Sequence, residues 1–223
     1  MTGKPEKRLW IFVNGELNDL QRLRGFFQPE DVFIAADGGY RYLEQLGLVP
    51  ERVIGDLDSL TVEQVDLLEN RGIKLERYPI EKDETDFELA LKRGVAEGFE
   101  VIRVAGALGG RFDQSLGNLF LLSKIEFSGL DIRLEDGVEE VFLIRDEGLI
   151  LGSPGDTVSL LPMGGNARRI TTQGLKFALK EETLYPDQSR GISNVMLTGQ
   201  ARVHLVEGML ICVHRRIDRS KTE

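Results

Sequence analysis

Through about residue 123 the chain alternates short, unbroken apolar runs with stretches of helical period. Leu9–Val13, Val32–Ala36 and Val53–Gly55 are such runs, while Ile73–Tyr78 and Val101–Ala105, which carry Lys74, Glu76, Arg77 and Arg103, read as further strands. Runs this short, with no polar face, are expected of parallel strands covered on both sides. Helices are expected from Asn14-Gly15 through about Arg24, over Tyr40–Leu46 with Gly47 closing it, and from Thr61 to Gly72. Two more are expected from Thr85 through Phe87–Leu91 and from about Gln114 to Ser123. Thr61 with Gln64, and Thr85 with Glu88, have the spacing of capping boxes. Strand–helix alternation of this kind predicts a doubly wound, mostly parallel α/β sheet with right-handed crossovers.

From about Gly129 the helical period stops. Short strand-like runs take over: 131–134, 140–144, 148–151, 157–162, 167–172, 174–179, 201–205 and 209–214. Turn residues such as Ser153-Pro154-Gly155-Asp156 and Met163-Gly164-Gly165-Asn166 punctuate them. Evenly spaced short strands predict a β-sandwich. The expected domains are therefore residues 1–128, α/β, and 129–223, β-sandwich, with no repeat or low-complexity linker between them.

Composition narrows the function. The 223 residues carry 41% hydrophobic and 29% charged side chains, enough apolar content for a real core. The net charge of −9 argues against nucleic acid or an anionic membrane as partner. An acidic protein that handles phosphates needs a metal to screen its own charge. The one cysteine, Cys212, excludes an internal disulfide framework and suits a reducing, cytoplasmic setting. Its neighbours Leu210, Ile211 and Val213 mark it as a buried strand thiol. No stretch reads as a signal peptide or a membrane span. His204 and His214 read as ordinary strand histidines.

The candidate chemistry gathers where strands end and helices begin. Gly55-Asp56-Leu57-Asp58-Ser59 places two carboxylates one residue apart, and in an extended segment both would share a face. Such a pair is costly to assemble unless a divalent cation sits between the acids and a ligand. An isolated Asp-x-Asp is most often a solvated loop, but this one has company. Asp37-Gly38-Gly39, Lys82-Asp83-Glu84-Thr85-Asp86 and Gly109-Gly110-Arg111-Phe112-Asp113 occupy comparable positions. The glycines let backbone N–H groups approach a ligand, and Arg111 and Lys82 are charge partners for phosphate. Asp83 and Asp86 also suit a helix N-terminus for dipole reasons alone. Strand carboxyl ends are where open α/β sheets bind ligands, and all four motifs fall there. No Rossmann or Walker A spacing occurs. In the second half, Gly191-Ile192-Ser193-Asn194 offers donors and acceptors that can read the edge of a heterocycle, although turn-favouring residues alone account for it.

Taken in order and spacing, these five motifs resemble the thiamine pyrophosphokinase family over nearly the whole chain. The resemblance implies transfer of a pyrophosphoryl group from ATP to the thiamine hydroxyl, giving thiamine diphosphate and AMP. It implies Mg2+ held by Asp56, Asp58 and Asp86, and a catalytic set of Asp58, Asp83, Asp86, Arg111 and Asp113. Nucleotide contacts would come from Asp37, Gly38, Gly39, Lys82, Gly109, Gly110 and Arg111, and thiamine contacts from Asp113, Ser193 and Asn194. It also implies a homodimer, with thiamine between the α/β part of one subunit and the β part of the other. Two positions depart from the family pattern: Gln114 stands where a histidine often follows the loop, and Val195 and Met196 stand where some members place an aromatic. Two rivals remain. A phosphohydrolase with Asp56 as nucleophile normally carries Thr or Val where this chain has Leu60. A non-catalytic thiamine or nucleotide sensor has little need of so many acids.

Overall fold

The computed structural model describes residues 7–217, which form two compact units dividing between Gly137 and Val138. The first unit runs β1 (Arg8–Phe12), α1 (Leu20–Arg24), β2 (Val32–Ala36), α2 (Tyr40–Leu46), β3 (Arg52–Gly55), α3 (Val62–Asn70), β4 (Lys74–Arg77), α4 (Asp86–Ala96), β5 (Val101–Ala105), α5 (Phe112–Leu121) and β6 (Asp131–Glu135). Its strands lie in the order β6-β5-β1-β2-β3-β4, and every pairing is parallel. β1 and β3 are buried almost throughout, as their unbroken apolar runs require. The chain steps outward from β1 to β4, then returns to lay β5 on β1's other side. The crevice between the carboxyl ends of β1 and β5 is thus a topological switch point, where open α/β sheets bind ligands.

The helix starts follow local chemistry. Thr61 and Gln64 close a full capping box on α3: Thr61 N–H donates to Gln64 Oε1 at 3.0 Å, and Gln64 N–H donates to Thr61 Oγ1 at 3.3 Å. On α4 half the box forms, with Glu88 N–H donating to Thr85 Oγ1 at 3.2 Å. The Glu88 carboxylate is occupied instead by Lys92 at 2.9 Å and by Lys124.

Three expectations need correction. The helix expected from Asn14 shrinks to Leu20–Arg24, because the backbone before it is claimed elsewhere. Gly15 N–H donates to Gly106 O at 2.9 Å, and Asp19 N–H donates to Asp136 O at 3.0 Å. The run 131–134, expected to open the sandwich, pairs in parallel with β5 from Val101↔Asp131 to Ala105↔Glu135 and so belongs to the first unit. The run 174–179 is not a strand; beyond Gly174, at φ 76°, it pairs only through the bridge Leu175↔Met196.

The second unit holds β7 (Glu139–Ile144), β8 (Glu147–Leu151), β9 (Thr157–Pro162), β10 (Ala167–Gln173), β11 (Glu182–Leu184), β12 (Asn194–Val195), β13 (Gln200–His204) and β14 (Leu210–Arg215). β12-β9-β14-β7 form one antiparallel layer and β11-β10-β13-β8 the other. Alternate residues of β9, β13 and β14 are buried, so each strand gives one face to the core. Val158, Leu160, Leu210 and Cys212 of the first layer meet Ile150, Ile170, Ala201 and Val203 of the second in one cluster.

His214 is not an ordinary strand histidine. It is fully buried, with Nδ1 2.9 Å from Glu140 Oε1 and Nε2 3.0 Å from Asp156 Oδ2. The ring therefore bridges a carboxylate on β7 to one just before β9 through both of its nitrogens. Burial by itself would raise the Asp156 carboxyl. The N–H groups of Ile217 and Ser153, with the His214 ring, outweigh burial and hold it below the usual range.

Candidate active site

Asp37, Asp56 and Asp86 follow three different strands, yet one oxygen from each lies within 4.8 Å of the others. Parallel order alone brings them together, since β2 and β3 are neighbours and α4 begins after β4. Gly55 makes room at the centre. At φ 149°, a Cβ there would stand 3.0 Å from Asp37 Cβ and 3.1 Å from Asp86 Cγ. Any side chain would therefore fill the space the three acids share.

The backbone around the cluster is held in unusual conformations. Asp37 sits at φ 43° and Leu57 at φ 65°, a region that non-glycine residues seldom occupy. Leu57 accepts it because its side chain is buried in the core of the first unit. The strand ends at Gly55, so Asp56 and Asp58 do not continue an extended alternation. Asp56 joins Asp37 and Asp86, whereas Asp58 stands exposed on a turn, its N–H donating to Asp56 Oδ1 at 3.1 Å. Asp58 still feels the cluster: the charge of Asp56 first, then slight desolvation and the charge of Asp37, raise its carboxyl above the usual range. Ser59 Oγ donates to Asp37 Oδ2 at 2.5 Å, which orients the carboxylate.

Asp86 is partly buried. Burial raises its carboxyl, the charges of Asp37 and Asp56 add to that, and the Lys82 ammonium opposes them. Lys82 Nζ lies 3.0 Å from Asp86 Oδ1 and donates to Pro79 O at 2.9 Å, so it is bound at the cluster's edge rather than exposed. Asp37 Oδ1 is buried with no hydrogen-bond partner. Three carboxylates, of which Asp37 and Asp86 each have a buried Oδ1 that makes no hydrogen bond, and a glycine-cleared centre form a set of hard oxygen donors suited to a divalent cation such as Mg2+.

Beside the cluster, a cavity of about 490 Å³ opens at the switch point, bounded by Val13–Gly15, Asp37, Asp86, Gly106 and the inner side of α5. Gly109, Asp113 and Gln114 line it. Gly38 and Gly39 serve packing first: a Cβ at Gly39 would stand 2.0 Å from Phe12 O, and one at Gly38 would stand 2.5 Å from the Asn14 side chain. Gly110 and Arg111 are exposed. Arg111 grips Asp113 with Nη2 at 2.6 Å and Nε at 3.2 Å, and that pairing holds the Asp113 carboxyl low. Asp83 is exposed and does not line the cavity.

In the second unit, Ser193 takes φ 60° and its N–H donates to Ser159 Oγ at 3.0 Å. Asn194 spends its amide on the chain itself. Oδ1 accepts from Phe177 N–H at 2.9 Å and Nδ2 donates to Phe177 O at 2.8 Å. Asn194 therefore pins the 174–179 segment, and Ser193 is the member of the pair left to face outward. Among the described residues no helix is long and apolar enough to cross a membrane.

Sequence reasoning missed three contributors: Asp37 as a member of the acid cluster, Gly55 as its centre and Lys82 as its counter-charge. Position alone signalled Asp37; the other two depend on packing that the sequence does not display.

Comparison with known proteins agrees with this geometry. The family model described as thiamin pyrophosphokinase, catalytic domain, matches residues 23–134, and the one described as its vitamin B1 binding domain matches 144–210. A thiamine pyrophosphokinase of Bacillus subtilis is 27% identical over 209 residues, covering 93% of this chain and 98% of that protein. The crystal structure of thiamine pyrophosphokinase from Bacillus subtilis superposes with a TM-score of 0.84 at 26% identity, covering 95% of this chain and all of that one. The yeast thiamin pyrophosphokinase structure shares the fold at 20% identity, with a TM-score of 0.75 over 96% of this chain and 87% of that one. With both family models matched in order along one chain, and an acid cluster at the switch point of its parallel sheet, this protein belongs to the thiamin pyrophosphokinase family.

Proposed function

We propose that the cavity beside Asp37, Asp56 and Asp86 carries out the family's reaction: in-line attack of the thiamine hydroxyl on the β-phosphorus of ATP, with AMP as leaving group. The observation that carries this reading is the three-acid cluster with its orphaned Asp37 oxygen. Asp37, Asp56 and Asp86 would hold Mg2+, with the exposed Asp58 approaching from solvent. When bound, the cation supplies neutralisation of phosphate charge, which is most of what phosphoryl chemistry asks of a protein. Lys82 adds positive charge at the same edge, and Arg111 can exchange Asp113 for a phosphate oxygen. Asp113 lines the cavity and Asp83 does not, which supports Asp113 as acceptor of the hydroxyl proton. Ser193 would face thiamine, on a loop that Asn194 holds in shape.

We also propose a homodimer working in the cytoplasm. Supporting it, α5 buries none of its residues although it is rich in apolar side chains, and Phe112 and Phe120 stand exposed on it. A sequence with one cysteine, Cys212, can form no internal disulfide, which suits a reducing compartment.

The test is incubation with ATP, Mg2+ and thiamine, resolving nucleotides and thiamine esters by chromatography. Thiamine diphosphate and AMP in equal amounts are expected. ADP with thiamine monophosphate would move the attack to the γ-phosphorus. Free phosphate without esters would replace the transferase by a hydrolase, and binding without turnover by a sensor.

A further inference from the structure

Gly117 lies in the interior of α5, between Phe112 and Leu121, where glycine weakens a helix relative to alanine. Nothing inside the folded chain explains it. It is absent from the positive-φ residues, and a Cβ built on it would meet no atom within 4 Å. It does, however, line the 490 Å³ cavity, together with Asp113 and Leu121 one turn to either side and its neighbour Asn118. Along this wall α5 therefore presents Asp113, Gln114, Ser115, Asn118 and Leu121, and no side chain at Gly117 itself. The wall is also anchored, since Asn118 Nδ2 donates to Ala107 O at 3.0 Å and ties the helix to the loop after β5.

We infer that Gly117 is a specificity-determining gap that admits a flat aminopyrimidine ring into the cavity. That ring chemistry is shared by the adenine of ATP and the pyrimidine of thiamine, so the gap serves one of the two substrates. A planar heterocycle laid against a helix needs the missing Cβ, whereas a phosphate chain does not. The inference rests on the proposed reading of this cavity as the substrate cavity.

The experiment is a size series, Gly117→Ala and Gly117→Leu, read by thermal melting and by KM and kcat for each substrate with the other saturating. Alanine relieves the helix, so its melting temperature is expected to rise by about 2–4 °C. The KM for one substrate is expected to rise about tenfold with alanine and further with leucine, with kcat within about twofold and the other KM unchanged. A rise confined to ATP assigns the gap to adenine, and one confined to thiamine assigns it to the thiamine pyrimidine. Unchanged KM values in the leucine variant overturn the inference. So does a lower melting temperature for alanine, which would show a packing role, or a fall in kcat with a rise in both KM values, which would show distortion of the acid cluster. Asp37→Asn in the same assay separates the two readings. If it stays fully active, the cavity assignment falls and this inference with it; if it is inactive while the Gly117 series is silent, only the inference falls.

Discussion

The acid cluster should cost the metal-free protein stability, and Asp37→Asn measures how much. Two unit charges 4.8 Å apart repel by about 3 kcal/mol at the effective dielectric of a protein surface and by about 1 kcal/mol in water. Asp37 faces two such partners, but all three residues are only partly buried, and solvent screening and the Lys82 ammonium reduce the total. A net gain of about 1–2 kcal/mol is therefore expected from removing the Asp37 charge. Asparagine is the right probe because it tolerates the φ of 43° and its oxygen can still accept from Ser59, while its NH2 replaces the orphaned Oδ1. In EDTA, Asp37→Asn should melt roughly 3–6 °C above the parent protein. With Mg2+ titrated in, the parent should gain stability by mass action and the variant should gain far less, its affinity lowered at least about tenfold. Opposite signs in one pair of melts are hard to obtain by accident. A variant that is less stable in EDTA, or that binds Mg2+ as the parent does, would refute the reasoning.

Two further outcomes follow from the second unit. His214→Gln removes the ring that bridges Glu140 and Asp156 and should cost about 3 kcal/mol in urea denaturation, with a loss below about 1 kcal/mol counting against a structural role for the bridge. The same measurement across pH has a sign. The folded Asp156 carboxyl lies below its unfolded value, so its contribution is present above the ordinary carboxylate pKa of about 4 and is lost as pH falls through the folded value; Asp156→Asn should flatten that acid limb. Asn194→Ala removes both bonds to Phe177 and should raise the KM for thiamine more than it lowers kcat, whereas equal effects on both would assign Asn194 to the chemistry itself.

How much of this was legible beforehand depends on whether the cause was local. Apolar runs with no polar face marked β1, β2 and β3 as buried strands, and Thr61 with Gln64 marked the start of α3, because neighbours in sequence make those interactions. The acid cluster was half legible. Each aspartate sits beside a recognisable strand end or helix start, but which three meet is decided by strand order. Asp58 was expected to share a face with Asp56 on the premise of an extended chain, and the left-handed Leu57 breaks that premise for the sake of burying its own side chain. The hydrogen-bonded triad at His214 joins residues 74 and 58 positions away, so no local pattern announces it. Asn194 shows how a side chain that offers donors and acceptors to a ligand also bonds the chain's own backbone, through Oδ1 and Nδ2 to Phe177.

The same distinction bears on why the motifs recur in this order. A glycine or aspartate at the end of one parallel strand gains nothing alone, since a lone acid there is simply solvated. In a sheet whose order reverses beside β1, the ends of β1, β2, β3 and β5 converge on one crevice, and each acid then raises the cost of the next. A chain that keeps all of them must recover that cost in something the crevice binds. A polyphosphate brought in with a divalent cation answers it, because the cation satisfies the acids and the phosphates satisfy the cation. The stability deficit expected of the metal-free protein and the reaction proposed for the cavity would in this sense be one property of the site, read once without the ligand and once with it.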